Sequence, residues 1–193
     1  MHMSVSAKVL FVTMVVTGSA QSLAAPTSYV IDPARTTVSF EVKRLGFTRS
    51  GEFTNVAGTV VMDPGAHSGS VEIAVDSRSI RAGSEPEENF LRGPSVLNVE
   101  EHAEIAYKGG NMVFKNGRPL RVDGTLTLRG ITRPVSLYVV GYACPINLVP
   151  GRGKCVLDAT AVFKRSEFGM TSYRGFISDD VKLSIHGVAR DAE

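Results

Sequence analysis

The chain lacks tryptophan, has two cysteines among 193 residues, and is only 7% aromatic. So few cysteines exclude a disulfide-stapled miniprotein, in which bridges stand in for a core. Charge of one sign is equally scarce: 21 lysines and arginines stand against 19 acids, a net charge of +2, and neither sign gathers into a block. That balance lacks the electrostatic footprint of nucleic-acid binding, and no nucleic-acid partner is expected. No Gly-x-Ser-x-Gly elbow, phosphate loop, His-Glu-x-x-His pair or dinucleotide fingerprint occurs, so the common catalytic and cofactor classes have no signature here. Repeats, low-complexity tracts and linkers are missing as well. What is present, 43% hydrophobic and 21% charged residues, is the composition of one ordinary globular domain rather than a disordered chain.

Residues 1–24 have the three-part pattern of an export signal: a cation at Lys8, an apolar run from Val9 to Val16, and small residues at Ser22 and Ala24. Cleavage is expected after Ala24, because a cut after Ala25 would place the rigid ring of Pro26 directly beyond it. The apolar run is shorter than the roughly 20 residues that span a bilayer. An uncleaved anchor or a buried first helix is the alternative, and no later apolar stretch or charge block supports either. The reading is a signal peptide over 1–24, a mature domain over 25–193, and a periplasmic location. Cys144 and Cys155 bracket the loop from Pro145 to Lys154. In an oxidising compartment this pair reads as a disulfide, which would stabilise by roughly 3 kcal/mol if unstrained. Two free thiols or a redox pair are the alternatives, although no Cys-x-x-Cys spacing exists.

Past residue 28 the hydrophobic residues alternate at period two. Val38, Phe40 and Val42, then Val71, Ile73 and Val75, then Leu157, Ala159, Ala161 and Phe163, then Val181, Leu183 and Ile185 share one side, with Glu41, Lys43, Glu72, Asp158 and Lys182 on the other. This is how half-buried antiparallel strands read. Breakers at 63–69, Gly109-Gly110, Asn116-Gly117 and Pro150-Gly151 separate the runs. One stretch differs: Ser84 and Glu87 have capping-box spacing, Pro86 sits in a first turn and Gly93-Pro94 stops the segment, which predicts a short helix over 84–92. Eight or nine strands with one apolar face admit a sandwich, a closed barrel with a cavity, or an outer-membrane barrel. The last expects aromatic girdles and longer strands, which this chain lacks.

The motifs resemble those of the YceI-like family, exported lipid-binding barrels described as polyisoprenoid-binding. The similarity runs from Tyr29 to Val188. It is carried by Tyr29-Val-Ile-Asp-Pro33, Leu45-Gly46 with Gly51-Glu-Phe53, Asp76-Ser-Arg-Ser-Ile80, Phe90-Leu-Arg92 before Pro94, Gly124 to Val135, and Arg165-Ser-Glu-Phe-Gly169 with Ser178-Asp-Asp-Val181. The resemblance implies an all-β fold: a single antiparallel eight-stranded, lipocalin-like barrel with a short helical segment and an apolar tunnel for an isoprenoid or acyl chain. It also implies a carrier without catalytic residues or cofactor. Many relatives have histidine where this chain has Arg35, Arg44, Phe90 and Arg129, so no imidazole is available at those positions for a pH switch or a metal.

Phe40, Val42, Phe53, Phe90, Leu91, Phe114, Leu126, Leu128, Phe163 and Phe168 combine the apolar parity with a place in or beside these motifs, and they are the expected ligand contacts. The competing reading is that the same residues fill a solid core. Arg44, Arg49, Arg92 and Arg129 are the head-group candidates, because guanidinium forks suit phosphate oxygens; solvated cations on a strand face are the alternative. The histidines left after export, His67, His102 and His186, look scattered, so no metal site is expected. The leading function is sequestration or transport of an isoprenoid quinone, prenyl phosphate, fatty acid or fatty amide, with transient membrane contact. No basic amphipathic helix marks a docking surface. The alternative is a protein-interaction module on a filled barrel, and exposed strand edges would suit a homodimer.

Overall fold

In the computed structural model, which describes residues 26–63, 65–144 and 153–192, the alternating runs become eleven strands. The expected signal segment, 1–24, lies outside the described residues. The strands are β1 (Thr27–Ile31), β2 (Thr37–Arg44), β3 (Phe47–Phe53), β4 (Val56–Asp63), β5 (Ser68–Asp76), β6 (Ile80–Arg81), β7 (Glu104–Lys115), β8 (Arg118–Leu128), β9 (Ile131–Ala143), β10 (Lys154–Lys164) and β11 (Asp180–Asp191). They form a closed antiparallel barrel of eight staves, sealed where β1 pairs with β11. The predicted lipocalin-like architecture is therefore present, and full closure leaves the sheet few free edges.

The strand count exceeds eight because three staves are broken. β1 and β2 both run along β11, with Ile31 opposite Ala189 and Val38 opposite Ile185. Between them Pro33, which has no N–H, interrupts the ladder. Thr36 repairs it, its hydroxyl donating to Val188 O and accepting from Val188 N, both at 3.1 Å. β3 and β4 are likewise parted at Thr54-Asn55, and β5 and β6 by the 3-10 turn Ser77–Ser79, capped by the Asp76 carboxylate. β7 pairs with β5 but not with β6, so the wall parts between β6 and β7 at one end.

That gap is filled by α1 (Glu85–Arg92) and the segment 93–103. Ser84 is the helix N-cap in extended conformation, Pro86 lies in the first turn, and three glutamates complement the helix dipole there. The expected capping box does not form: the Ser84 side chain makes no cap bond, and Glu88 rather than Glu87 reaches back, accepting from the Ala82 amide at 3.2 Å. Arg92 then pins the helix to β6, lying 2.9 Å from Glu88 and donating to Ile80 O at 2.9 Å.

Two-residue turns with both residues at positive φ close three hairpins: Leu45-Gly46, Asn116-Gly117 and Arg129-Gly130. This is the turn whose twist matches that of the strands it joins. Gly109-Gly110, expected as a turn, is instead a bulge inside β7. The bulge switches the inward parity from Ile105 and Tyr107 to Met112 and Phe114. Cys144 and Cys155 form a disulfide across the ends of β9 and β10, with Cα atoms 4.2 Å apart. The loop they bracket is outside the described residues at 145–152.

Candidate functional site

The barrel interior divides along its axis. Toward the disulfide end, Met62, Met112, Val122 and Ala189 are buried and packed into the core. Toward the α1 end the inward side chains enclose a cavity of about 170 Å³. Its walls come from β2, β3 and β5 to β11, and α1 with Val96 and Leu97 covers it. Three successive inward positions of β2 (Val38, Phe40 and Val42) line it, which makes it roughly 13 Å long on that side. Phe40, Val42, Ile73, Ile105, Leu183 and Ile185 are only half-buried although they face inward. Gly51 gives the Phe40 ring its room, since a Cβ there would stand 2.6 Å from the ring.

Of the ten expected contact residues, eight line this cavity: Phe40, Val42, Phe53, Phe90, Leu91, Leu126, Leu128 and Phe163. The other two lie outside the lining. Phe168 is fully buried behind the wall, edge-on to Phe163 at 5.2 Å between centroids. Phe114 lies near the far end of β7, at the opposite end of the barrel beside the Asn116-Gly117 turn, and packs against His67 at 5.8 Å.

None of the four head-group candidates lines the cavity. Arg92 is committed to Glu88 and to backbone carbonyls. Arg129 sits in a turn at positive φ, and its guanidinium donates to Pro94 O at 2.8 Å and to Val96 O, fastening the covering segment to the β8–β9 hairpin. A reading by strand parity cannot foresee a residue that has left the strand. Arg44 and Arg49 have the parity of Val42, Arg49 directly opposite it, but both are exposed at the rim and outside the lining.

The cation that does line the cavity is Arg165, only 8% exposed. It opens the 3-10 turn Arg165–Phe168, and its guanidinium donates to the carbonyls of Ser178, Met170, Ser172 and Ile177 at 3.0, 2.5, 2.8 and 3.2 Å. Sequence reasoning quoted Arg165 within a motif but assigned it no role. The signal was there, because Arg165 continues the inward series Ala159, Ala161, Phe163, and a charge on an apolar parity needs an explanation.

Tyr107 supplies the other buried polar group of the lining. Its hydroxyl lies 2.9 Å from Val122 O and 3.1 Å from Val135 O and shares its proton between them. Gly124 leaves room for it, since a Cβ there would come within 2.7 Å of the hydroxyl. Burial, with the Asp123 charge as a second cause, pushes the Tyr107 hydroxyl up to about 12. Unfolded tyrosine ionises near pH 10, so stability from this group is full below about pH 10 and falls as pH climbs toward 12, by at most about 1.4 kcal/mol per pH unit. Tyr107→Phe should cost about 1 kcal/mol at neutral pH. Urea midpoints of the two proteins should then converge early in that alkaline window and cross before its end; a constant gap would mean that Tyr107 ionises alike in both states.

The YceI-like domain matches this chain over residues 29–189. A UPF0312 protein of Yersinia pestis (strain Pestoides F) is 30% identical over 159 residues, covering 78% of this chain and 80% of the relative. The UPF0312 protein of Serratia proteamaculans (strain 568) is 29% identical over 157 residues with the same coverage. Among solved structures, Burkholderia cenocepacia BcnA superposes with a TM-score of 0.70 at 20% identity, over 82% of this chain and 98% of its own. A polyisoprenoid binding domain from Saccharophagus degradans, implicated in plant cell wall breakdown, gives 0.64 at 12% identity, over 86% and 99%. At such identities these two likenesses speak for the fold.

Proposed function

The chain belongs to the YceI-like domain family, and from that membership and the enclosed apolar cavity we propose that it binds a long-chain amphiphilic lipid: an isoprenoid quinone, a prenyl phosphate, a fatty acid or a fatty amide. The observation that carries this reading is the cavity itself, a space inside the barrel whose surface is almost entirely hydrocarbon. A hydrocarbon chain buried there gains about 0.8 kcal/mol per methylene, whereas water in an apolar site finds too few polar partners.

We read the protein as a carrier rather than an enzyme. The buried polar groups of the lining are already engaged, the Arg165 guanidinium with backbone carbonyls and the Tyr107 hydroxyl with two more. Neither is paired as a base with a nucleophile. We further infer a periplasmic site of action, supported by the signal pattern of 1–24 and by a disulfide of the kind that persists in oxidising compartments.

Native mass spectrometry tests the reading. Protein purified from cells that export it should carry an additional mass, lose it on organic extraction, and regain one on incubation with a quinone, a prenyl phosphate or a fatty acid. An empty protein that takes up none of these after extraction would sink the carrier hypothesis.

A further inference from the structure

The mouth of the cavity has an unusual rim. The β2–β3 hairpin and the loop 171–177 meet there: Leu45 N donates to Phe176 O at 2.8 Å, and Arg44 bridges to Ile177. From this junction four large apolar or aromatic side chains project into solvent, with Leu45 65%, Phe47 72%, Phe176 62% and Tyr173 49% exposed. The same rim carries Lys43, Arg44, Arg49 and Arg174, all exposed. Among the described residues none of these four cations is paired with a carboxylate. The neighbouring acids are engaged elsewhere: Glu41 with Lys182, Asp180 with Lys164, and Asp179 with the Ser166 amide and hydroxyl.

The hairpin tip opposes its own turn chemistry. A two-residue turn with both φ positive favours Asn, Asp or Gly at its first position, yet Leu45 holds φ 51° there, at a steric cost, and remains solvent-exposed. Beside the tip lies a vestibule lined by Lys43, Leu45, Arg174 and Phe176, and it shares Arg165, Met170 and Ile177 with the cavity wall. Tyr173, on the same loop, packs against the cavity residue Phe90 at 5.4 Å.

We propose that this rim is a docking surface for an anionic phospholipid bilayer, seating the cavity mouth on the membrane. Exposed apolar tips ringed by unpaired cations match the two layers of such an interface, acyl chains within and phosphates outside. A protein partner would explain the apolar tips but leaves four unpaired cations around the entrance of a hydrocarbon cavity without a reason. The inference deepens the carrier reading and rests on it for its purpose, since a chain leaving the bilayer would enter the cavity without crossing water.

Vesicle sedimentation provides the test, with cavity occupancy read separately on the same samples by native mass spectrometry. The wild-type protein should sediment with vesicles of phosphatidylcholine mixed with phosphatidylglycerol, less with phosphatidylcholine alone, and less as salt is raised. Each rim cation is worth about a fivefold gain in partitioning, so Lys43→Gln with Arg174→Gln should lower it about 25-fold. Phe47→Ser with Phe176→Ser should lower it at least tenfold. All four positions are exposed, so both double variants should fold and keep their cavity ligand. They share the wild-type amino terminus, so any contribution of residues 1–24 cancels. Both must lose partitioning; if either matches wild type, or if anionic vesicles bind no better than neutral ones, docking is overturned. Vesicle binding by a protein that never carries or accepts a lipid would overturn the carrier reading instead and leave docking standing.

Discussion

Replacing Arg165 by methionine is expected to lower the unfolding free energy by about 3 kcal/mol and to loosen one wall of the cavity mouth. The guanidinium lies at the base of the excursion between β10 and β11 and donates to four carbonyls spread from Met170 to Ser178. Its own backbone is tied into the same knot, the Arg165 amide donating to Asp179 O at 2.9 Å and Arg165 O accepting from the Met170 amide at 3.2 Å. Each hydrogen bond from a charged donor contributes about 1.5–3 kcal/mol, but burying the guanidinium costs several, so the net loss falls well below the sum. Methionine fills much of the same apolar space and isolates the loss of the donors. Arg165→Lys keeps the charge, but its three N–H groups cannot serve four carbonyls in one plane, and about 2 kcal/mol should still be lost. Urea denaturation at constant slope measures both. An unchanged midpoint would mean that the cost of burying the guanidinium cancels its bonds. The functional consequence follows from position: Tyr173 and Phe176 ride on the tethered loop, so faster exchange of the Ile177 and Ser178 amides should accompany faster release of bound lipid.

How much of this was legible in the sequence depends on what kept the strand period. Val38 to Val42, Leu126 to Leu128 and Val181 to Ile185 alternate without interruption, and they face the interior as read. Gly109-Gly110 misled because glycine marks a bulge as readily as a turn, and only the partner strand distinguishes them. The breaks at Pro33 and after Phe53 were invisible for a similar reason: each stave keeps its course along a neighbour that the local sequence does not contain. Charge was the harder part. Arg92 and Arg129 were placed near the mouth by their motifs, but their hydrogen bonds to Ile80, Pro94 and Val96 depend on segments at least 12 residues away. The exposed tips at Leu45 and Phe47 could not be read as a surface until the loop bearing Phe176 was set beside them.

Cavity variants should have the larger functional effect, and two of opposite chemistry are needed to interpret it. Leu128 lines the cavity at the last residue of β8, beside the turn at the mouth. Leu128 is buried, so Leu128→Arg puts a charge into the apolar wall and should lower the unfolding midpoint, although the arginine stem keeps part of the apolar contact. A bound chain would then have to give up its contact with about four methylenes or accept a desolvated charge, a loss of roughly 3 kcal/mol and at least a hundredfold in affinity. Ile105→Phe makes the complementary change: it adds apolar volume where a half-buried inward side chain faces open space. Overpacking a filled core costs about 1–3 kcal/mol, but here the added atoms occupy a void, so the unfolding midpoint should hold or rise while lipid retention falls. The contrast separates location from stability. Ligand loss in both variants, with the midpoint lowered only in Leu128→Arg, places the chain inside the barrel. Retention by Ile105→Phe at an undiminished midpoint would mean that the lipid binds outside it, because a guest of the cavity cannot share space with the added ring.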